Sequence, residues 1–230
     1  MREQLLHLLF PNVCVICKQL LLPDEEHCCA TCITLFDPFA TPADAEAELR
    51  RTIVEHFGDE FPFERGWCRY QFHKHNPLQQ VLHSMKYEGL FTLGTTFGRQ
   101  LGAWMLSAGN VGAIDGIVPM PLHRLKKIER SYNQSEKIAE GLAQSLRKPV
   151  QPELLVRKRF TVSQTGLSAK ERQTNAAGAF QATTAVRGRH LLLVDDVITT
   201  GATMAAAAAA LREGGAKSVS LAAIALAAKE

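Results

Sequence analysis

The chain has 230 residues, of which 46% are hydrophobic and 21% are charged, and its formal net charge is +3. This composition is typical of an ordinary globular protein and excludes disordered, collagen-like and mucin-like chains. No apolar run approaches the roughly 20 residues that a membrane-spanning helix needs, and the N-terminus shows no signal-peptide cleavage pattern. We therefore expect a cytoplasmic protein without a membrane span.

Charge is unevenly distributed along the chain. Residues 1–60 carry 4 Lys/Arg against 11 Asp/Glu, whereas residues 116–190 carry 14 Lys/Arg against 5 Asp/Glu. A basic central segment favours an anionic partner such as a phosphate, a pyrophosphate or a nucleic-acid backbone. The alternative is a chance clustering of surface lysines and arginines.

Cysteines are concentrated near the N-terminus, where two Cys-x-x-Cys pairs are separated by eleven residues. Two such pairs can supply four thiolates at the corners of a tetrahedron, which is the arrangement of a structural zinc site. We predict a four-cysteine zinc ribbon over residues 1–36, and a cluster of buried or redox-active thiols is the competing interpretation. Whether Cys28 or its neighbour supplies the third ligand stays open. The favoured ligands are Cys14, Cys17, Cys29 and Cys32.

A linker and a larger domain follow the cysteines. Residues 37–65 are predicted to form a linker with an acidic helix at 44–56, and residues 66–230 to form one domain. In that domain strands alternate with helices, which predicts an α/β fold with a parallel sheet covered by helices on both faces. The predicted strands are 67–72, 112–120, 154–156, 178–181, 190–194 and 218–223, and the predicted helices are 77–87, 92–106 and 204–212.

One further helix is predicted behind the strand at 112–120. Its apolar positions are Ile138, Leu142 and Leu146, at a spacing of four residues. Ser131 and Gln134 have the spacing of a capping box, so we expect the helix to begin near Ser131.

The segment HLLLVDDVITTGAT, residues 190–203, is the most informative part of the chain. Its apolar residues predict a buried strand with Asp195 and Asp196 at the carboxyl end, where ligands bind in open α/β sheets. The loop that follows offers backbone N–H groups, hydroxyls and a helix N-terminus to a phosphate. Two carboxylates can accept hydrogen bonds from the two hydroxyls of a ribose. A sugar 5-phosphate therefore fits both the acids and the loop that follows them. The predicted loop residues are Thr199, Thr200, Gly201, Ala202 and Thr203.

This segment resembles the phosphoribosyl-pyrophosphate signature of type I phosphoribosyltransferases, with Ala202 where a second glycine is common. The cysteine pairs and the segments 82–89 (LHSMKYEG), 118–134 (VPMPLHRLKKIERSYNQ) and 163–180 (SQTGLSAKERQTNAAGAF) resemble the ComF/GntX family of bacterial competence-associated proteins. That resemblance covers nearly the whole chain. It implies a type I phosphoribosyltransferase-like fold and a role in the uptake or use of external DNA. Family members often carry a second set of cysteine pairs, and here only Cys68 follows, so we expect one zinc ion.

The resemblance also implies further site residues. Pro121 and Arg124 match by position the loop that holds pyrophosphate in type I phosphoribosyltransferases, where Mg²⁺ accompanies phosphoribosyl pyrophosphate. Lys86 and Tyr87 either reach the site or simply end a helix with an exposed lysine. Because Arg172 and Asn175 lie in a stretch with little apolar content, our hypothesis is that they order a substrate or a flexible loop.

Two classes of function follow from this sequence. In the favoured one, the protein binds phosphoribosyl pyrophosphate or a related nucleotide and takes part in DNA uptake or utilisation. Single-stranded DNA and DNA-uptake or recombination proteins are then its expected partners. In the alternative, it is an active nucleobase phosphoribosyltransferase of nucleotide salvage. Asp195 and Asp196 then bind the ribose, and catalysis consists mainly of positioning and charge stabilisation.

Overall fold

A computed structural model of the protein describes residues 12–58, 63–74, 76–122, 131–158 and 178–228. The strands are β1 (Asp37–Pro38), β2 (Gly66–Phe72), β3 (Gly116–Pro119), β4 (Leu155–Arg157), β5 (Phe180–Ala182), β6 (His190–Ile198) and β7 (Ser218–Ala227). The helices are α1 (Ala30–Ile33), α2 (Pro42–Phe57), α3 (Pro77–Tyr87), α4 (Phe91–Ser107), α5 (Gln134–Leu146) and α6 (Ala202–Glu213). None of the helices in these ranges is both long enough and apolar enough to cross a membrane.

Five strands form the central sheet in the order β1-β2-β7-β6-β3. The four strands from β2 to β3 run parallel, and β1 is antiparallel to β2 at the edge. The central strands β6 and β7 are buried over most of their length. Strands covered on both faces read as nearly continuous apolar runs, which is why the sequence predicted both strands, although each extends four residues beyond its predicted end.

Helices cover both faces of this sheet, as predicted. Side chains alternate between the two faces along a strand, so Leu192 and Ala222 pack against α3, α4 and α5. Leu191, Leu193 and Leu221 pack on the opposite face, against α2 and α6. The first set of helices includes a close pair, since α4 carries Gly94, Gly98 and Gly102 toward α5.

Glycine is required where those two helices touch. A Cβ atom on Gly98 would overlap the backbone carbonyl of Ile138, and one on Gly141 would overlap the backbone carbonyl of Thr95. Two helices can approach this closely only where a side chain is missing at the contact. The contact holds α5, and therefore its first turn, in a defined position against α4.

Three local predictions were wrong. The strands near 154–156 and 178–181 exist, but they pair antiparallel with each other outside the central sheet. Ser131 does not cap α5, because Asn133 is the N-cap and its side chain accepts the Ser135 N–H. The strand β6 does not end before the two acids, because Asp195 still pairs with β7.

The N-terminal segment packs on the helices of the sheet. Cys14, Val15 and Phe36 belong to the same buried cluster as α3 and α4. The Gln80 side-chain amide donates a hydrogen bond of 3.1 Å to the Val15 carbonyl, and Glu26 accepts one of 2.8 Å from Thr96. A shared core therefore crosses the boundary that we predict at residue 36.

The segment predicted as a linker also contributes to the core. The helix expected at 44–56 is α2, and Thr41 begins it with a capping box to Asp44. Its side chains Leu49 and Ile53 are fully buried. Residues 37–65 are therefore part of the packed structure over the stretch that α2 occupies.

Candidate functional site

Two adjacent carboxylates lie on β6 at the carboxyl end of the sheet. Asp195 accepts a hydrogen bond of 2.8 Å from the hydroxyl of Ser135, which lies in the first turn of α5. The ammonium nitrogen of Lys86, in the last turn of α3, is 2.5 Å from the carboxylate of Asp196. Three elements that are distant in the sequence thus meet at the acid pair, and Lys86 does reach the site.

Burial changes the protonation of the acid pair. It raises the pKa of Asp195 to about 7, and the adjacent Asp196 carboxylate adds to the rise. The Ser135 hydroxyl and the Lys86 ammonium act in the opposite direction but do not cancel it. Near neutral pH the Asp195 carboxyl therefore exists in both forms, as a hydrogen-bond donor and as an acceptor.

The loop after β6 has a backbone shape that suits a phosphate group. Gly201 has a φ of +82°, which L residues rarely adopt, and it is the N-cap of α6. A Cβ atom there would also lie 3.2 Å from the Ile53 side chain. The hydroxyl of Thr200 is 3.5 Å from the Ala202 nitrogen. The other two predicted loop residues, Thr199 and Thr203, flank this turn.

The end of β3 lies beside the acids. Pro119 pairs with Val194, and the N–H of Met120 donates a hydrogen bond of 2.8 Å to the Val194 carbonyl. Pro121 follows directly, at the same edge of the sheet. The predicted site residues Arg124, Arg172 and Asn175 lie outside the described residues.

Asn133 is a positioning residue that the sequence reasoning missed. Its side-chain oxygen caps α5 by accepting the Ser135 N–H at 3.1 Å, and its amide donates to the Met120 carbonyl at 3.0 Å. It is buried. Asn133 thereby holds the loop after β3 against the helix turn that touches Asp195. Asparagine immediately before a helix is a common N-cap, and that preference was the available indication.

Four cysteine sulfur atoms form a second polar cluster. The sulfurs of Cys14, Cys17, Cys29 and Cys32 all lie within 4.8 Å of one another, and those of Cys17 and Cys29 are 3.7 Å apart. A tetrahedral ion with metal–sulfur distances of about 2.3 Å places its sulfurs about 3.8 Å apart. The four cysteines therefore have a geometry that can hold a metal ion.

The adjacent Cys28 does not belong to this cluster. Its side chain is buried in the core shared with α3 and α4, and burial raises the pKa of its thiol to about 12. At Cys14 burial also raises the pKa, but backbone N–H groups, led by that of Cys29, outweigh it and lower the pKa to about 6. A thiolate is the form that binds metal. The lowered pKa of Cys14 therefore favours the form of this residue that can bind a metal ion.

Comparison with known proteins gives matches in sequence and in structure. Residues 133–230, from the N-cap of α5 through β7, match the family model for the phosphoribosyl transferase domain. This range contains the acid pair and the loop that follows it.

Two kinds of curated relative are similar in sequence. The DNA utilization protein YhgH of Escherichia coli (strain K12) is 34% identical over 146 residues, which are 62% of this chain and 64% of that protein. This chain thus spans less than two thirds of that relative's length. Competence protein F of Haemophilus influenzae is 27% identical over 214 residues, which are 90% of this chain and 93% of that protein.

Among solved structures, one similar chain is the glutamine phosphoribosylpyrophosphate amidotransferase from B. subtilis, complexed with ADP and GMP. It is 21% identical, with a TM-score of 0.39, and the match covers 58% of this chain and 26% of that chain.

Proposed function

Because this chain belongs to the ComF family, we propose that it binds a phosphoribosyl ligand at the carboxyl edge of its sheet and acts in the uptake or utilisation of DNA. The observation that carries the proposal is the juxtaposition of Asp195, Asp196 and the loop of residues 199–203 on β6 and its exit. The phosphoribosyl transferase domain over residues 133–230 supports the ligand class. The names of the relatives, competence protein and DNA utilization protein, support the biological role.

Different site residues bind different parts of the ligand. In this proposal the loop N–H groups, the threonine hydroxyls and the first turn of α6 hold the 5-phosphate. The carboxylates of Asp195 and Asp196 bind the ribose hydroxyls. Lys86 balances the charge of Asp196 and, in this proposal, also contacts an anionic group of the ligand. Mg²⁺ bound to a pyrophosphate would offset its negative charge.

An active nucleobase phosphoribosyltransferase is the second candidate function. The pKa of Asp195, raised by burial to about 7, favours it, because a group that titrates near neutral pH can accept or donate a proton during a reaction. In that reaction a ring nitrogen of the base attacks C1 of the ribose, and the bond from C1 to the pyrophosphate oxygen breaks. Pyrophosphate leaves with the electron pair. The proton of the attacking ring nitrogen passes to a proton-accepting group of the protein or to water.

Thermal unfolding tests the ligand proposal. We expect phosphoribosyl pyrophosphate with Mg²⁺, at about a hundred times its dissociation constant, to stabilise the protein by roughly 2.7 kcal/mol. The Asp195→Asn/Asp196→Asn variant should lose this stabilisation. An unchanged melting temperature of the wild type would overturn the proposal. Release of pyrophosphate in the presence of a nucleobase would identify the protein as the active enzyme.

Single-stranded DNA is the proposed macromolecular partner, together with a DNA-uptake or recombination protein. The excess of basic residues over 116–190 supports it, since this stretch carries 14 Lys/Arg against 5 Asp/Glu. Binding through phosphate contacts should weaken steeply with salt, by a slope of about 0.7 per contact for single strands. A fluorescence titration at several salt concentrations measures that slope, and binding that is absent at low salt would contradict this part of the proposal.

A further inference from the structure

Two loops meet at the amino edge of the sheet, opposite the edge that carries the acid pair. Residues 187–189 lead into β6, and residues 214–217 lead into β7. The N–H of Lys217 donates a hydrogen bond of 2.8 Å to the Arg189 carbonyl, and a second backbone hydrogen bond of 2.8 Å joins a glycine of each loop. The two loops therefore lie side by side and form one surface.

Cationic side chains gather on this surface, which we call the basic edge. Arg187 is exposed, and its side chain extends over the second loop, where a Cβ atom on Gly215 would lie 3.4 Å from the Arg187 Cγ. Lys217 is exposed as well. The guanidinium group of Arg212, in the last turn of α6, donates hydrogen bonds to the carbonyls of Ala216, at 2.7 Å, and Lys217. The basic edge consists of Arg187, Arg189, Arg212 and Lys217.

Among the described residues, no carboxylate forms an ion pair with the basic edge. The guanidinium groups of Arg189 and Arg212 donate there only to neutral carbonyl and amide oxygens. The neighbouring carboxylate of Asp115 accepts the backbone N–H of His190 at 2.8 Å instead. Other arginines of the described surface do pair with acids: Arg50 and Arg65 with Glu46, Arg51 with Glu48, and Arg99 with Glu26.

Cations that share one surface without acidic partners favour a ligand with several negative charges. The hydrogen bonds to carbonyls fix the place of the Arg212 guanidinium through one nitrogen and leave its other N–H groups without a partner among the described residues. An arginine carries five N–H donors in a planar fork that matches the oxygens of a phosphate. A nucleic-acid strand offers a row of phosphates, and each contact with a cation releases a counterion.

The basic edge is too far from the acid pair for one small ligand to touch both. Arg189 directly precedes β6, and Asp195 lies six positions later in the chain. At a rise of about 3.3 Å per residue, the two positions are about 20 Å apart along the strand. A ribose 5-phosphate at the carboxyl edge therefore leaves the basic edge open to a second ligand.

We propose that the basic edge binds the phosphates of a single-stranded DNA while the carboxyl edge holds the phosphoribosyl ligand. This inference rests on the proposed role in the uptake or utilisation of DNA and extends it, because it gives the DNA a surface of its own. The strand and the phosphoribosyl ligand then bind together and do not compete.

Fluorescence titration of the full chain with a labelled oligothymidylate of roughly 20 nucleotides tests this assignment. Arg187→Gln and Lys217→Gln are the variants, because neither side chain makes a hydrogen bond to the described residues. A salt slope of about 0.7 per phosphate contact corresponds to about fivefold in affinity between about 1 M and 0.1 M salt. We expect each variant to bind about fivefold more weakly at about 0.1 M salt, and the double variant about 25-fold, with a slope smaller by about 1.4.

Arg51→Gln is the matched control, because it removes the same charge from α2, where Glu48 pairs with Arg51. It should bind the strand as the wild type does, and unchanged melting temperatures show that all variants are folded. If the double variant keeps the affinity and the slope, DNA binds elsewhere, so the inference is wrong and the proposed DNA role stands. Displacement of the strand by ribose 5-phosphate would also overturn the inference. If the wild type binds no strand at low salt, the proposed DNA role and the inference fail together.

Discussion

The cysteine cluster and the acid pair differ in how far along the chain their parts lie. Cys17 and Cys29, whose sulfurs are in contact, are 12 positions apart, whereas Ser135 and Asp195 are 60 positions apart. A site within one short segment is arranged mainly by the turns of that segment, which a bound metal ion can join. A site built from distant segments needs the sheet and, here, the two helices α3 and α5 in their correct places. The spacing of residues in the sequence therefore predicts a site of the first kind. It predicts a site of the second kind only in part.

The two sites also differ in the effect of burial on their charges. At Cys14 burial raises the pKa, but hydrogen bonds from backbone N–H groups outweigh it and the pKa falls to about 6. At Asp195 burial and the neighbouring carboxylate outweigh the donors, and the pKa rises to about 7. Hydrogen bonds thus favour the charged form of Cys14, whereas burial favours the protonated form of Asp195.

Metal binding provides the largest expected effect. We expect one tightly bound metal ion per chain and its loss in Cys29→Ala, because structural zinc contributes about 10–16 kcal/mol of apparent binding free energy in small zinc domains. Cys28→Ala is the control next to it in the chain, and it should keep the metal. Metal analysis by mass spectrometry, together with melting curves with and without a chelator, measures both. Retention of the metal in Cys29→Ala would show that the cluster is not its site.

Helix packing provides the next effect. Gly98→Ala places a Cβ atom against the Ile138 carbonyl, and overpacking of this kind costs up to about 3 kcal/mol. The first turn of α5 should shift, so binding of ribose 5-phosphate should weaken while the metal content stays constant. Denaturant unfolding and calorimetry measure these effects, and Ala103→Ser, at an exposed position of α4, is the control. A Gly98→Ala protein with wild-type stability would contradict the close approach of the two helices.

The raised pKa of Asp195 predicts a pH dependence of stability. Between the ordinary pKa of 3.8 and the folded value of about 7, the folded protein holds a proton that the unfolded chain has released. The contribution of this group is therefore complete below pH 3.8 and is lost as the pH rises through 7. Asp195→Asn removes that loss, so its stability relative to the wild type should increase from pH 4 to pH 7, by about 3 kcal/mol.

Chemical unfolding at several pH values measures this difference, because titrating groups that do not interact with Asp195 cancel between the two proteins. Above about pH 8, where Asp195 is deprotonated in the folded protein as well, the difference should stay constant. A difference that does not change between pH 4 and pH 8 would mean that Asp195 titrates normally.

The smallest expected effect concerns a single hydroxyl. Ser135→Ala removes the donor to Asp195 and should cost about 1 kcal/mol of stability at pH 8. The Ser135 hydroxyl lowers the pKa of Asp195. In Ser135→Ala, the pH at which the stabilising contribution of Asp195 is half lost should therefore be higher than in the wild type. Ser145→Ala is the matched control, since Ser145 donates a hydrogen bond of 3.0 Å to the Arg99 carbonyl on the far part of α5. It should cost a similar amount of stability and leave the pH midpoint unchanged.

Local sequence patterns predicted a helix or strand well where the signals within the segment agreed with one another. The helix at 77–87 has the bounds of α3, because Pro77 fits a first helical turn and its apolar spacing is regular. Ser131 failed as a cap because the side chain of Asn133, two residues later, is the one that reaches the Ser135 N–H. The strands β4 and β5 were recognised, but their pairing was not, since a short apolar run does not reveal its neighbour.

The site residues also include some that the sequence predicted and some that it did not. Spacing predicted the four cysteines that come together, and the acids and the glycine-containing turn of the loop occupy the predicted place at the carboxyl edge. Lys86 was left open, because the last residue but one of a helix points to the site only once α3 has packed across the sheet.

Residue types and their spacing along one segment therefore settled which groups this protein presents: four thiols, two carboxylates, a glycine turn and buried strands. Each of these depends on interactions within a few residues, where the geometry of the chain leaves little choice. The tertiary structure alone decided which distant groups meet them. The Gly98 contact sets the place of α5, the place of α5 brings Ser135 to Asp195, and that approach depends on packing between residues separated by dozens of positions.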